Sequence, residues 1–311
     1  MRYSLLDRAN TVEGSTDAEA VRAVVDRAEH AEKLGYHRFL VAEHHAVPGI
    51  AGSAPGILAA AVGQATDTIR IGTAGIMVPD HAPIVVAEQA AVLESLFPGR
   101  VDIGLGSSPG FTPAVRRALR QPEDAGEARE DFAADLGEVV AYLRGQAPVT
   151  LRPAVDNPPP LFLLTGGSPR SLETARQLGL GVILGGPRPA YVEGSVVSCQ
   201  IAVAESREEA RALVLPEVWA QVLSRSTGRF MPLRPAAALD EAELTAKQRQ
   251  RIARGLEATI YGTPDDVTAA VTALAERTGA AEILVTGGSP DPDGQARSDG
   301  LLAEILSAVD G

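Results

Sequence analysis

Eight short apolar runs recur along the chain. They are YSLLD at 3–7, RFLVAEH at 38–44, IRIGTAGIMV at 69–78, VDIGLG at 101–106, LFLLT at 161–165, GVILGG at 181–186, VVSCQIAVA at 196–204 and EILVT at 282–286. They are too short for buried helices and rich in valine and isoleucine, so they predict strands. Their near-continuous apolarity suits parallel strands covered on both faces. Helix-spaced patterns lie between most of them, at 17–35, 82–99, 168–180 and 263–280. Asp17 is expected to cap the first of these and Gly35 to stop it. Thr263 and Pro264 give the last one a cap followed by proline at the first helical position. Eight strands alternating with helices predict an α/β fold, a (β/α)8 barrel spanning 1–311 as one domain. An open doubly wound sheet is the structural alternative.

One link breaks the alternation. Only nine residues, PRPAYVEGS with two prolines, separate the sixth run from the seventh. A crossover between parallel strands usually needs a dozen or more. The helix after the sixth strand is therefore expected to be missing or reduced to a turn. The interval 205–281 should hold several helices, with TGRFMPLRPAAALDEAE at 227–243 as a loop. The segment 107–131 reads as a mobile lid over the barrel mouth.

The strand ends carry the candidate chemistry, because in a parallel barrel they share one rim. The step TGGSP occurs twice there, at 165–169 and 286–290. In the first copy Gly167 precedes Ser168, a plausible helix cap, with Pro169 in the first turn. Backbone N–H groups at such a terminus suit a phosphate, and Arg170 and Ser171 would add a charge and a hydroxyl. The second copy runs into Asp291 and Asp293, which would repel an anion, so it reads as a rim turn. The turn GLGSSPG at 104–110 departs from a dinucleotide-binding turn in its spacing and is interrupted by Pro109 and Pro113.

The sharpest cluster is Glu43–His44–His45 at the end of the second strand. Neighbouring strand residues point to opposite faces, so adjacent histidines do not readily share a metal. Glu43 and His45 could, with His81 and Asp102 as the further candidates near a strand end. A metal centre is not expected. His44 is the candidate catalytic group, while His30 and His37 are expected on the surface.

The net charge of −12 and a pI of about 5.0 argue against nucleic acid and anionic membranes as partners. Cys199 is the only cysteine, which excludes an internal disulfide, and its apolar run predicts a buried inert thiol. No apolar run approaches the roughly 18 residues of a membrane span, and the N-terminus meets charges before any signal-length stretch. The cytoplasm is the expected compartment.

The stretch from VAEHHAVPGIAGSAPG through GTAGIMVP and EQAAVLESLFPGRVDIGLGSSPG resembles the bacterial luciferase-like monooxygenases, in their small-enzyme branch. The resemblance continues through LFLLTGGSPRSLETARQLGL and ends in GTPDDVTAAVTALAERTGAAEILV. It implies a (β/α)8 barrel, usually dimeric, that uses reduced FMN with O2 or, in some branches, a deazaflavin. His44 matches the family histidine near the reactive edge of the flavin, a candidate acid/base. Ala74–Gly75 matches a non-proline cis peptide against the flavin ring, and Ser168 and Ser171 match phosphate-binding hydroxyls. Two departures stand out. Ser107 replaces an arginine that commonly pairs the flavin phosphate, for which Arg170 offers a compensating charge. The segment after the sixth strand is also shorter than in the family. The resemblance implies a monooxygenase acting on a small organic substrate, with reduced FMN from a separate flavin reductase. At 4% aromatic residues a large stacking platform is not expected. The departures leave two alternatives: a non-catalytic flavin-binding or partner subunit, and a deazaflavin-dependent oxidoreductase.

Overall fold

The computed structural model describes residues 1–186 and 189–309. Its strands are β1 (Arg2–Asp7), β2 (Arg38–Val41), β3 (Arg70–Met77), β4 (Val101–Gly106), β5 (Leu161–Thr165), β6 (Gly181–Leu184), β7 (Val196–Val203), β8 (Ile260–Gly262) and β9 (Glu282–Thr286). The first seven pair in sequence, β7 pairs with β9, and β9 pairs with β1, all in parallel. That closes an eight-stranded barrel whose members are the eight apolar runs. The three-residue β8 lies outside the ring and pairs with the carboxyl half of β7.

Ten helices surround the ring among the described residues: α1 (Asp17–Lys33), α2 (Pro55–Ala65), α3 (Pro83–Leu96), α4 (Pro113–Ala118), α5 (Phe132–Leu143), α6 (Pro169–Leu178), α7 (Arg207–Thr227), α8 (Ala246–Glu257), α9 (Pro264–Thr278) and α10 (Pro292–Val309). Thr16, not Asp17, caps α1; its hydroxyl accepts from Glu19 N–H in a capping box, and Asp17 is the first residue inside. Thr263 caps α9 as the sequence predicts. The segment 107–131 contains α4 and a 3-10 turn, and a helix, α10, follows the second TGGSP copy as well as the first. Between β6 and β7 no helix occurs among the described residues; Pro187 and Arg188 lie outside them. The rest of that link is pinned to the end of α9, through Val192 N–H to Thr278 O (2.9 Å) and Gly194 N–H to Gly279 O (2.8 Å). Neither expected surface histidine is fully exposed: His37 is half-buried, and His30 sits against the Ala296 carbonyl of α10.

Alternate strand residues serve two cores. Leu5, Phe39, Ile71, Ile103 and Leu163 belong to the larger core, which also takes in the buried alanines of α1 and α3. Leu6, Leu40, Ala74, Ile183, Val196 and Leu284 form a separate cluster with Phe162 and Leu164 that fills the lumen. Each such fully buried leucine or isoleucine contributes roughly 1.5–3 kcal/mol. At the amino ends of the strands the lumen is floored by charge. Arg38 pairs with Glu282 (2.8 Å) and Asp102 (3.1 Å), Arg70 also holds Asp102 (2.7 Å), and Ser4 Oγ donates to Glu282 (2.6 Å).

At the other end, loops after β1 and β2 and after α7 join in a small ladder. Thr11 N–H donates to Gly49 O, Gly49 N–H to Phe230 O, and Leu233 N–H to Thr11 O. A Cβ at Gly49 would run into the Met231 backbone, so glycine is required there.

Candidate active site

The residues just past β2 and β3 divide into two groups. Glu43, fully buried, occupies one side. Its Oε1 accepts from His45 Nε2 (2.6 Å) and His81 Nε2 (2.7 Å), and its Oε2 accepts from Met77 N–H (2.7 Å). Burial pushes this carboxyl up, but the hydrogen bonds from His45, His81 and Met77 outweigh it and hold its pKa down at about 2. His81 is raised, chiefly by its hydrogen bond to Glu43. Asp80 lies beside them with both carboxylate oxygens buried and unpartnered. Burial, and then the negative charge of Glu43, raise its pKa to about 6.

His44 makes no hydrogen bond to that group; β2 ends at Val41, so the loop and not strand alternation separates them. Its peptide N–H is fixed to Gly52 O (2.8 Å), while its ring Nδ1 is buried with no hydrogen-bond partner. Burial, and then the nearby positive charge of Arg8, push its pKa down to about 4, so the ring is neutral at neutral pH. Arg8, just past β1, is paired with the buried carboxylate of Glu217 on α7. The other oxygen of Glu217 accepts from Gly288 N–H at 2.7 Å. The glycine step of the second TGGSP copy is therefore occupied by the protein's own carboxylate.

The first copy is different. Ser168 caps α6, its Oγ accepting from Ser171 N–H (3.2 Å) and lying 2.8 Å from Ser171 Oγ. Gly167 adopts a φ of +86°, and a Cβ there would strike Ala190. This step opens onto a cavity of about 510 Å³ lined by Ser107, Phe132, Thr165, Gly166, Gly167, Ser168 and Ser171. An adjoining cavity of about 640 Å³ shares Ser107, Phe132 and Ser171 and brings in Arg129, Arg170, Glu127 and Glu130. Arg129 Nε donates to Ser107 O at 3.0 Å. Beside the groove, the peptide between Ala74 and Gly75 is cis, and β3 shifts register against β4 at that point.

The fold is shared with known proteins. A family model described as luciferase-like monooxygenase matches residues 1–196. The chain belongs to the luciferase-like monooxygenases. YvbT of Bacillus subtilis, itself uncharacterised, is 31% identical over 326 residues, covering 97% of this chain and 96% of YvbT. The crystal structure of apo-MsnO8 matches with a TM-score of 0.86 and 28% identity, over 98% of each chain. Two more distant structures share the fold. One is the oxygenating constituent of 3,6-diketocamphane monooxygenase from Pseudomonas putida in complex with FMN, with a TM-score of 0.70, 15% identity and coverage of 98% and 97%. The other is an F420-dependent secondary alcohol dehydrogenase, with a TM-score of 0.72, 16% identity and coverage of 99% and 98%.

For this luciferase-like chain the structure brings Ser107, Gly167, Ser168 and Ser171 to one cavity and Arg170 to the adjoining one, which shares Ser107 and Ser171. Ala74 and Gly75 lie within β3 and line neither cavity, but Gly75 packs close to Leu164, which lines the first. Asp102 is at the amino end of β4, on the charged floor, and so cannot join Glu43 and His45. Sequence reasoning missed Arg129, whose guanidinium anchors on the carbonyl of Ser107, where the family commonly carries an arginine. Cys199 is half-buried rather than buried, yet the protein around its sulfur pushes the thiol up to about 12, which keeps it protonated.

Proposed function

We propose that this luciferase-like protein binds FMN at the carboxyl ends of its barrel strands and, with reduced FMN and O2, oxygenates a small organic substrate. One oxygen atom would go to the substrate and the other to water. The observation that carries the reading is the groove at the first TGGSP copy. It combines a capped helix start, two serine hydroxyls and two arginines, a donor set that matches a phosphate monoester. The buried, unpartnered Nδ1 of His44 fits as well, since a buried polar atom without a partner is costly unless a ligand supplies one.

In this reading Ser168, Ser171, Arg129 and Arg170 hold the flavin phosphate, and the Ala74–Gly75 strand lies against the ring. Bound reduced FMN supplies the electrons that activate O2. The lumen side chains Leu6, Leu40 and Leu164 and the 107–131 segment keep water from the ring. His44, neutral, takes or returns a proton at its ring nitrogen as oxygen is transferred. A separate flavin reductase supplies the reduced cofactor.

A second copy of this chain would cover α2 and α3. α2 has no charged residue, and Ile57 (76% exposed), Leu96 (58%), Val92 (45%) and Val85 (39%) leave an apolar face on the two helices. Sedimentation should give a dimer, and Leu96→Glu should shift it toward monomer. No helix among the described residues is long and apolar enough to cross a membrane.

The flavin reading is tested by titrating the protein with FMN and with riboflavin, which lacks the phosphate. Arg129→Ala and Arg170→Ala should each weaken FMN roughly 10–150-fold, the worth of a charged hydrogen bond, and leave riboflavin unchanged. Failure to bind either flavin would overturn the reading. Tight FMN binding without O2-dependent product would favour a non-catalytic subunit, and anaerobic turnover with a deazaflavin would favour hydride transfer.

A further inference from the structure

Glu43, His45 and His81 gather three ligating atoms within 4.8 Å of one another, and among the described residues no other set of three His, Cys, Asp or Glu side chains does so. Both imidazoles aim Nε2 at the same carboxylate oxygen, at 2.6 and 2.7 Å. The Met77 N–H bond to the other oxygen keeps the carboxylate from rotating away. Such an orienting partner is a regular feature of metal-ligating carboxylates. Beside the three, Asp80 offers two buried oxygens that nothing in the protein satisfies. Two carboxylates, Glu43 and Asp80, therefore stand beside the two imidazoles. The side chains of His45 and His81 are 21% and 24% exposed, which leaves a path for an ion and for water ligands.

We propose that Glu43, His45 and His81, with Asp80 alongside, bind a first-row divalent transition-metal ion of the Zn²⁺ class. Two imidazoles and a carboxylate converging from one side are the donors such ions favour, while calcium and magnesium prefer oxygen alone. At metal–ligand distances of roughly 2.1 Å, neighbouring ligand atoms sit about 3 Å apart. The two N···O separations therefore need to open by only a few tenths of an ångström. The ion takes the place of the Nε2–H hydrogens now aimed at the carboxylate, and each ligating imidazole carries its hydrogen on Nδ1 instead. The ion ties the exit of β2 to the turn Val78–Asp80 after β3. The inference does not depend on the flavin reading, because none of these four side chains lines the phosphate groove.

The test uses the full chain without an affinity tag, stripped with chelator and titrated with Co²⁺. We expect one ion per chain at micromolar affinity or tighter, with visible ligand-field bands, displacement by Zn²⁺ and a rise in melting temperature. His45→Gln and His81→Gln should each weaken binding by at least ~10–100-fold, as even loss of an outer partner does. Should either variant misfold, nitrogen NMR of the wild-type protein decides instead. Zn²⁺ should shift the ring signals of two of the five histidines. Binding no tighter than millimolar, binding retained in both variants, or unshifted histidine signals would overturn the proposal and leave a purely hydrogen-bonded cluster. FMN titration of the same stripped protein keeps this outcome separate from the fate of the flavin reading.

Discussion

Arg38→Ala should destabilise the fold by about 3–5 kcal/mol, the range for stripping one partner from a buried ion pair. Arg38 is 5% exposed and serves two carboxylates at the barrel floor, Glu282 and Asp102. Their prospects differ once it is gone. Asp102 keeps Arg70 at 2.7 Å, whereas Glu282, 1% exposed, keeps only the Ser4 hydroxyl and a distant, mostly exposed Arg2 at 4.0 Å. The loss should fall mainly on Glu282, so Arg38→Met combined with Glu282→Leu should recover most of it. The check is urea unfolding, in which the midpoint of Arg38→Ala falls while the slope stays constant. A shift below about 1 kcal/mol, the usual worth of an exposed pair, would mean that water reaches the floor.

The same floor separates what the sequence could reveal from what it could not. The eight ring strands were legible because parallel strands buried on both faces must be apolar throughout, as Phe39–Leu40–Val41 is. The three-residue β8 has no room for such a pattern. Helix α2 escaped notice because its outer face is apolar too: Ile57 stands exposed where periodicity would place a polar residue. Asp102 looked like a strand-end acid, but it is the second residue of β4, and distance along a strand decides which rim a side chain reaches. His81 could be named as a possible companion of Glu43, yet only the turn after β3 brings the two within 2.7 Å. Arg129 lies 22 residues beyond Ser107, and no local spacing links them. The contrast between the TGGSP copies was partly visible in Asp291 and Asp293. Its stronger cause, Glu217 on a helix 71 residues earlier, depended on the fold.

His44→Ala should lower substrate-dependent turnover by about 10²–10⁴-fold, the usual contribution of a positioned acid/base. The fold and FMN affinity should change little. The protein makes no hydrogen bond to His44 Nδ1, so truncation breaks none there, and the loop is held by the His44 peptide N–H to Gly52 O, which alanine retains. Burial and the charge of Arg8 favour a neutral ring, able to take up a proton as negative charge develops beside it. The measurement is product formed per reduced FMN oxidised under O2, for wild type and variant side by side. A variant that oxidises reduced FMN at the wild-type rate while forming little product would assign His44 to oxygen transfer rather than cofactor binding. Equal product yield and rate would remove His44 from the chemistry, and the proton would then have to move through water or through the substrate itself.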